Sequence, residues 1–431
     1  MGILPDTAER SPAGHLCLGG CDVVELAEQF GTPLYIYDKE TLISAAKRYI
    51  AALTAWYPAT FTVAYASKAY LCVELARQWA ALGLGLDVVG PGEFEIARRA
   101  GVPAGRIHLH GNNKPPALLA RAVEAGVGRV VIDGWHDFDR IEGLQPAEPV
   151  PVWLRLSPGI DVHTHRYRKT GLVDSKFGFP IVTGDAERAV ARALASPHVD
   201  PRGLHAHIGS QIFEAQPFVD CAAALVDFAA QMGERHGWQP AELSPGGGWG
   251  VPYTPDQPDL PPETYLEPLC RAVATGCRAR GLALPHLVVE PGRSLVARAG
   301  VAIYAVGGRK EIPGGRVYLS LDGGLADNPR PALYGAQYAP LCANREGGPR
   351  QGVTLCGPFC ESGDVLGDEV LLPALRPGDL VAVPVAGAYQ LAMASAYNGF
   401  PRPAALLVAD GQARLMQRRE TVADLLARDI L

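Results

Sequence analysis

FTVAYASKAY, residues 61–70, runs β-branched and aromatic residues up to a single lysine, Lys68. Phe61, Thr62, Val63 and Tyr65 suit a strand. Lysine is among the residues least often buried. At the end of an apolar strand it marks either a surface or a place where an amine has work to do. Working outward, strand-like and helix-like runs alternate from residue 61 to about 293. The strand runs are 61–68, 85–90, 106–111, 129–134, 151–158, 203–210, 241–248 and 286–293. Between them lie stretches such as CVELARQWAALG, GEFEIARRAG and PALLARAVEAGVG, with apolar residues at three- and four-residue spacing. That spacing predicts amphipathic helices. Eight strands, each followed by a helix, predict a (β/α)8 TIM-type barrel, with an open doubly wound sheet as the alternative.

The texture changes after residue 293. AGVAIYAVGGRKEI, GRVYLSLDGG, QGVTLCGP and DLVAVPVAGAY are short, β-rich and separated by Gly/Pro turns. They predict a C-terminal β-sandwich or β-barrel domain, so the fold class is α/β plus all-β. The early run PLYIYD, 33–38, is strand-like and is expected to join it. The expected organisation is an N-terminal segment at 1–38, the barrel at 39–295 and a β-rich domain at 296–431.

The 431 residues carry a net charge of −6 and no long basic tract, which argues against nucleic acid or an anionic membrane as partner. No apolar run approaches the roughly 18–20 residues that span a bilayer. The start, MGILPDTAERSPAGHLC, lacks a secretory signal layout. Nine scattered cysteines fit reduced thiols and a cytoplasmic location. Cys17/Cys21 and Cys356/Cys360 are spaced by four, unlike a zinc-ribbon pair.

Active sites of such barrels lie where strands end and βα loops begin. Those ends carry Lys68, Asp87, His110, Asp133, Ser157, His207 with Ser210, Gly246 to Gly248, and Glu290 with Arg293. A lysine among apolar neighbours can form a Schiff base with a carbonyl. The SPGGGWG run lets backbone N–H groups approach a phosphate. A carboxylate beside a pyridine nitrogen keeps it protonated, and Glu290 is the acid best placed for that. Together these parts describe a pyridoxal phosphate site, which would explain an inward-facing Lys68. The plainer readings are a surface lysine, a hydrogen-bonded core histidine at 207 and a structural Glu290–Arg293 bridge. A rival chemistry uses the His-X-His pairs at 108–110, 163–165 and 205–207, since residues i and i+2 share a strand face and can hold a metal. Metal-dependent barrel hydrolases place such a pair on the first strand, where this chain has Lys68.

The ordered motifs YASKA (65–69), HTH…TG…DSKFGF (within 163–179), HIGSQ (207–211), GGGWG (246–250), EPGRSLV (290–296), DGGLADNPRPALYGA (322–336), CESGDVL (360–366), GAY (387–389) and YNGF (397–400) span nearly the whole chain. In these the chain resembles the diaminopimelate decarboxylases, within the barrel-fold pyridoxal phosphate decarboxylases that include ornithine decarboxylase. The resemblance implies a homodimer with shared sites and pyridoxal 5'-phosphate as cofactor. It implies that Lys68 bears the cofactor, that His207 packs on its ring and that Glu290 meets its nitrogen. Ser210, Gly246, Gly247, Gly248, Gly292, Arg293 and Tyr389 would surround the phosphate. Arg293, Arg330, Tyr334 and Tyr389 would hold the substrate, chiefly its distal carboxylate. Cys360, as proton donor, and Glu361, against the distal ammonium, would come from the partner subunit. Relatives of this fold act on ornithine, arginine, carboxynorspermidine or antibiotic-pathway intermediates, but the NPRPALYGA and CESGD stretches favour diaminopimelate. One departure is Tyr70, where these enzymes commonly have asparagine. It bears on pocket shape and not on the cofactor lysine.

Overall fold

The computed structural model describes residues 2–160 and 175–430. The His163–His165 pair and Lys169 lie outside the described residues. Two compact units emerge. One comprises residues 46–250 and 260–292; the other comprises 1–45, 251–259 and 293–431.

The first unit is a closed parallel barrel. Its strands are β1 (Phe61–Ala66), β2 (Gly85–Val88), β3 (Ile107–Leu109), β4 (Arg129–Ile132), β5 (Val150–Ser157), β6 (Val199–His205), β7 (Glu242–Gly246) and β8 (His286–Val289). Each pairs in parallel with the next, and β8 pairs with β1 to close the ring. The eight strands are those expected from the sequence. A ninth, two-residue strand, Phe179–Pro180, adds alongside β5. Strands buried on both faces need no polar alternation, and Val130, Val131 and Ile132 of β4 are all buried. Helices follow the strands, and their periodicity is that of one buried stripe. In Asp185–Ala195 the buried positions are Ala186, Ala189, Val190 and Ala193. Ala64, Val131, Trp153 and Val288, from four different strands, form one apolar cluster. The Trp153 indole N–H donates to Glu242 (2.6 Å), which also pairs with Arg129.

The second unit is mostly sheet. Its longest strand, Gly300–Glu311, pairs antiparallel with Leu34–Asp38, Leu380–Val383 and Val317–Leu321. Leu34–Asp38 in turn pairs in parallel with Ala404–Ala409. Leu34, Ile36, Val301, Ile303, Ala382, Leu406 and Val408 share one core with Leu18 and Val23 of the N-terminal segment. Leu18 belongs to a three-stranded sheet of very short strands, which the sequence pattern does not announce.

Candidate active site

Lys68 does not extend β1. The strand stops at Ala66, and Ser67–Ala69 form a 3₁₀ turn that leaves Lys68 exposed while Ser67 and Ala69 are buried. The turn is tied by the Tyr65 hydroxyl donating to the Tyr70 carbonyl (2.6 Å), so Tyr70 is held inside at 3% exposure. The lysine expected at the end of the first strand thus stands on the turn just beyond it, near enough to His207 for its charge to act there. The short turn carries the ammonium past the apolar strand, so its charge is not buried among Phe61–Ala66.

A polar layer caps the C-terminal ends of the barrel strands. It contains Asp87 on β2, His108 on β3 and His110 just beyond it, Arg155 on β5, His205 ending β6, Ser244 on β7 and Glu290 one residue past β8. All are buried. The Ser244 hydroxyl donates to Glu290 Oε1 (2.6 Å), and His205 Nε2 lies 3.0 Å from Glu290 Oε2. Asp87 Oδ1 faces His108 Nδ1 at 3.1 Å and His110 Nε2 at 3.5 Å. Arg155 reaches Asp133 at 3.5 Å. Burial alone would raise the Glu290 carboxyl; its attraction to and hydrogen bond with His205 oppose that, and the carboxyl is held below its usual range. His207, in the loop after β6, accepts the Gly247 N–H on Nδ1 (3.4 Å). Burial first, and the Lys68 charge second, push its imidazole well below the usual range, so it is neutral.

The glycine run has a packing reason besides any ligand. A Cβ on Gly246 would strike the Ala206 carbonyl and the His207 ring, one on Gly247 the Glu290 carbonyl, and one on Gly248 the Gly209 carbonyl. Gly246 and Gly248 also hold positive φ, of 79° and 119°. These residues therefore draw the β6, β7 and β8 loops together, so the carriers of His207, Ser210 and Glu290 meet. Gly292 packs against Ala66 and Ala69, beside Lys68.

The second unit gathers cations and phenols. Arg293 opens a four-residue helix, and its Nη1 donates to the Tyr253 hydroxyl. Its guanidinium also lies 4.6 Å from the Tyr389 ring centre. Arg330, 3% exposed, donates from Nε to the Tyr338 hydroxyl (3.0 Å). It lies over Tyr253 (5.1 Å), Tyr334 (5.8 Å) and Tyr389 (5.8 Å). No carboxylate pairs with Arg330 among the described residues. Tyr389 holds a positive φ of 60°, uncommon for a bulky residue. Cys360 and Glu361 lie on an exposed turn; the Cys360 N–H donates to Asn398 Oδ1 (3.0 Å), and Glu361 Oε1 accepts the Gly363 N–H (3.2 Å).

Glu290 meets Ser244 and His205, and Arg293 meets Tyr253. Sequence reasoning missed Ser244, Tyr253 and Tyr338. It met His205 only as half of a His-X-His pair. Those two histidines differ in role, because His205 ends β6 and His207 lies in the loop beyond. Asp87, His108 and His110, and His110, His205 and Glu290, bring ligand atoms within 4.8 Å of one another. Geometry alone therefore leaves the metal rival standing.

Comparison with known proteins removes it. Residues 41–297 match the family model for the pyridoxal-dependent decarboxylases, pyridoxal binding domain. The diaminopimelate decarboxylase of Bacillus subtilis (strain 168) is 42% identical over 432 residues, covering 99% of this chain and 98% of that one. The crystal structure of diaminopimelate decarboxylase from M. jannaschii in co-complex with L-lysine matches with a TM-score of 0.94 at 34% identity, over 100% of this chain and 99% of that one. A lysine/ornithine decarboxylase from Vibrio vulnificus, complexed with cadaverine, matches less well, with a TM-score of 0.77 at 26% identity over 89% of this chain and 96% of that one. On this evidence the chain is a decarboxylase and belongs to the diaminopimelate decarboxylase family.

Proposed function

We propose that the protein removes the carboxylate at the D-configured end of meso-2,6-diaminopimelate, giving L-lysine and CO2, with pyridoxal 5'-phosphate as cofactor. The observation that carries the substrate is Arg330, a buried guanidinium with no carboxylate partner among the described residues. A buried charge without a counter-ion costs several kcal/mol, and a substrate with a second carboxylate supplies one. The planar fork of arginine suits that group.

The residues fit the cofactor. Lys68 offers an exposed primary amine, Glu290 an ionised carboxylate for a protonated ring nitrogen, and neutral His207 a flat ring that adds no opposing charge. Gly246 to Gly248 leave backbone without side chains in the way of a phosphate; Ser210, Gly292, Arg293 and Tyr389 are the other residues this reading gives to that phosphate. When bound, pyridoxal phosphate delocalises the electron pair that departing CO2 leaves on the α-carbon. Arg330, Arg293, Tyr334 and Tyr389 hold the distal carboxylate, and Glu361 holds the distal ammonium. The Cys360 thiol gives its proton to the α-carbon. Cys360 and Glu361 are exposed in the single chain, which supports a homodimer in which they serve the partner's site. All nine cysteines are free, and no helix among the described residues is long and apolar enough to cross a membrane. Both support a cytoplasmic enzyme.

The test is to supply meso-diaminopimelate and pyridoxal phosphate and to measure CO2 and L-lysine. L-Ornithine and L-lysine, which lack the distal carboxylate, should be very poor substrates. Arg330→Ala should lower kcat/KM for meso-diaminopimelate at least about a hundredfold. Equal turnover of ornithine, or a near-normal Arg330→Ala, would overturn the substrate assignment.

A further inference from the structure

Around Glu290 the barrel holds side chains to which the reaction above gives no task. We propose that Ser244 and His205 are positioning residues that fix the Glu290 carboxylate for the cofactor's ring nitrogen. This rests on the assignment of Glu290 to that nitrogen.

The terminal torsion of a glutamate is broad, so a carboxylate at the end of a strand is free to rotate. Here each oxygen has its own donor on a different strand: Ser244 on β7 at 2.6 Å, and His205 on β6 at 3.0 Å. The serine's direction is fixed as well. Its Oγ accepts the Gly246 N–H (3.2 Å), so its single proton is left for Glu290. The imidazole is clamped by its neighbours. The Trp153 indole lies parallel to it, with centroids 6.3 Å apart and planes 4° apart, and His110 meets it edge-on at 5.1 Å. Facing an ionised carboxylate, Nε2 carries the proton. Nδ1 has no hydrogen-bond partner among the described residues, and burial lowers the tendency of His205 to take a second proton. His205 therefore donates without cancelling the Glu290 charge, which an imidazolium would do.

Glu290 is faced by His205 and His207 from β6 and its loop, Asp87 from β2, His110 from beyond β3 and Arg155 from β5. The surroundings of Glu290 pull in both directions: burial and Asp87 favour its protonated form, His110 and Arg155 its ionised form. Without its donors the carboxylate becomes the better base, and a proton shared with a ring nitrogen moves onto Glu290. The cofactor would then lose the charge that makes its ring an electron sink.

The experiment loads wild type, Ser244→Ala, His205→Leu, His205→Gln and Glu290→Ala with ring-15N-labelled pyridoxal phosphate and reads the nitrogen chemical shift. Steady-state kinetics with meso-diaminopimelate accompany it. Wild type should show a protonated nitrogen. Ser244→Ala, a one-atom deletion that spares the fold, and His205→Leu should shift it toward the neutral form. Both should lose kcat about tenfold or more, with KM within about twofold. His205→Gln, which keeps an N–H donor, should recover much of both readouts. The proposal is overturned if Ser244→Ala and His205→Leu keep a protonated nitrogen while Glu290→Ala loses it. A protonated nitrogen in Glu290→Ala itself would overturn the role of Glu290, and the proposal with it.

Discussion

Asp327 should make the stability of the protein fall as pH rises from about 4 to about 7, and Asp327→Asn should abolish that loss. The residue is 3% exposed. Its Oδ1 accepts the Gly324 N–H (2.8 Å), and its Oδ2 meets the hydroxyls of Tyr304 (2.5 Å) and Tyr35 (2.9 Å). Tyr35 also contacts Gln390 Oε1 at 2.9 Å. A phenol has one proton, so Tyr35 cannot donate to both. A protonated Asp327 resolves the conflict: it donates to the Tyr35 oxygen and frees the phenolic proton for Gln390. Burial, the largest cause, pushes the carboxyl from 3.8 up to about 6 against these hydrogen bonds.

A carboxyl raised in the folded state stabilises fully below its unfolded value and loses that contribution as pH rises through the folded one. The whole shift corresponds to about 3 kcal/mol, and the part lost between pH 5 and pH 8 is about 1.4 kcal/mol. Asparagine keeps one donor and one acceptor and cannot ionise. Urea unfolding of wild type and Asp327→Asn at pH 5 and pH 8 isolates this term, because every other titrating group is common to both proteins. The variant's stability relative to wild type should improve by about 1.4 kcal/mol from pH 5 to pH 8. A difference that stays constant, or that moves the other way, refutes the protonated Asp327.

Two further outcomes test the placement of the chemistry. Borohydride reduction of the loaded enzyme followed by peptide mapping should label Lys68; a label on Lys114 or Lys176 would sink the assignment. Mixing inactive Lys68→Ala and Cys360→Ala proteins should restore activity to up to about a quarter of sites if subunits exchange and each site draws one residue from each chain. No recovery despite demonstrated exchange would show that the sites are not shared.

The barrel was legible because a parallel sheet buried on both faces concentrates Val, Ile and Leu into short runs, and the intervening helices keep a 3.6-residue stripe. Where the strands stop was less legible. The run 286–293 reads as continuous, but pairing ends at Val289, so Glu290 stands in the loop, free to meet side chains from β6 and β7. Lys68 was placed on the strand for the same reason: no residue in YASKA announces the 3₁₀ turn. Ser244 was invisible because a serine between a leucine and a proline carries no signal until β6, β7 and β8 are set side by side. Tyr253 and Tyr338 were hidden by distance. Tyr253 lies 40 positions before Arg293, and although Tyr338 is only eight positions from Arg330, the two phenols meet only when the second unit folds.

Two ion pairs and two charges without such a partner make a useful contrast inside this protein. Lys114 and Asp137 are fully buried and answer each other at 2.8 Å; the partly buried Arg129 pairs with Glu242. Such pairs are electrically complete, and nothing further is needed to keep them charged. Glu290 and Arg330 are handled differently. Glu290 is ligated by a hydroxyl and a neutral imidazole, and Arg330 by a phenol and the faces of three tyrosines. Among the described residues neither forms an ion pair with a lysine, arginine, aspartate or glutamate. Withholding the counter-ion is costly in an interior, and it leaves each charge available to a ligand of the opposite sign. A protonated ring nitrogen fits the first and a substrate carboxylate the second. Supplying an internal counter-ion would therefore stabilise the chain and weaken ligand binding together. At Arg330 a Tyr338→Glu substitution, which puts a carboxylate in place of the phenol, should raise the stability of the ligand-free protein and raise KM for meso-diaminopimelate. A variant that gains stability with unchanged KM would show that Arg330 does not meet the substrate.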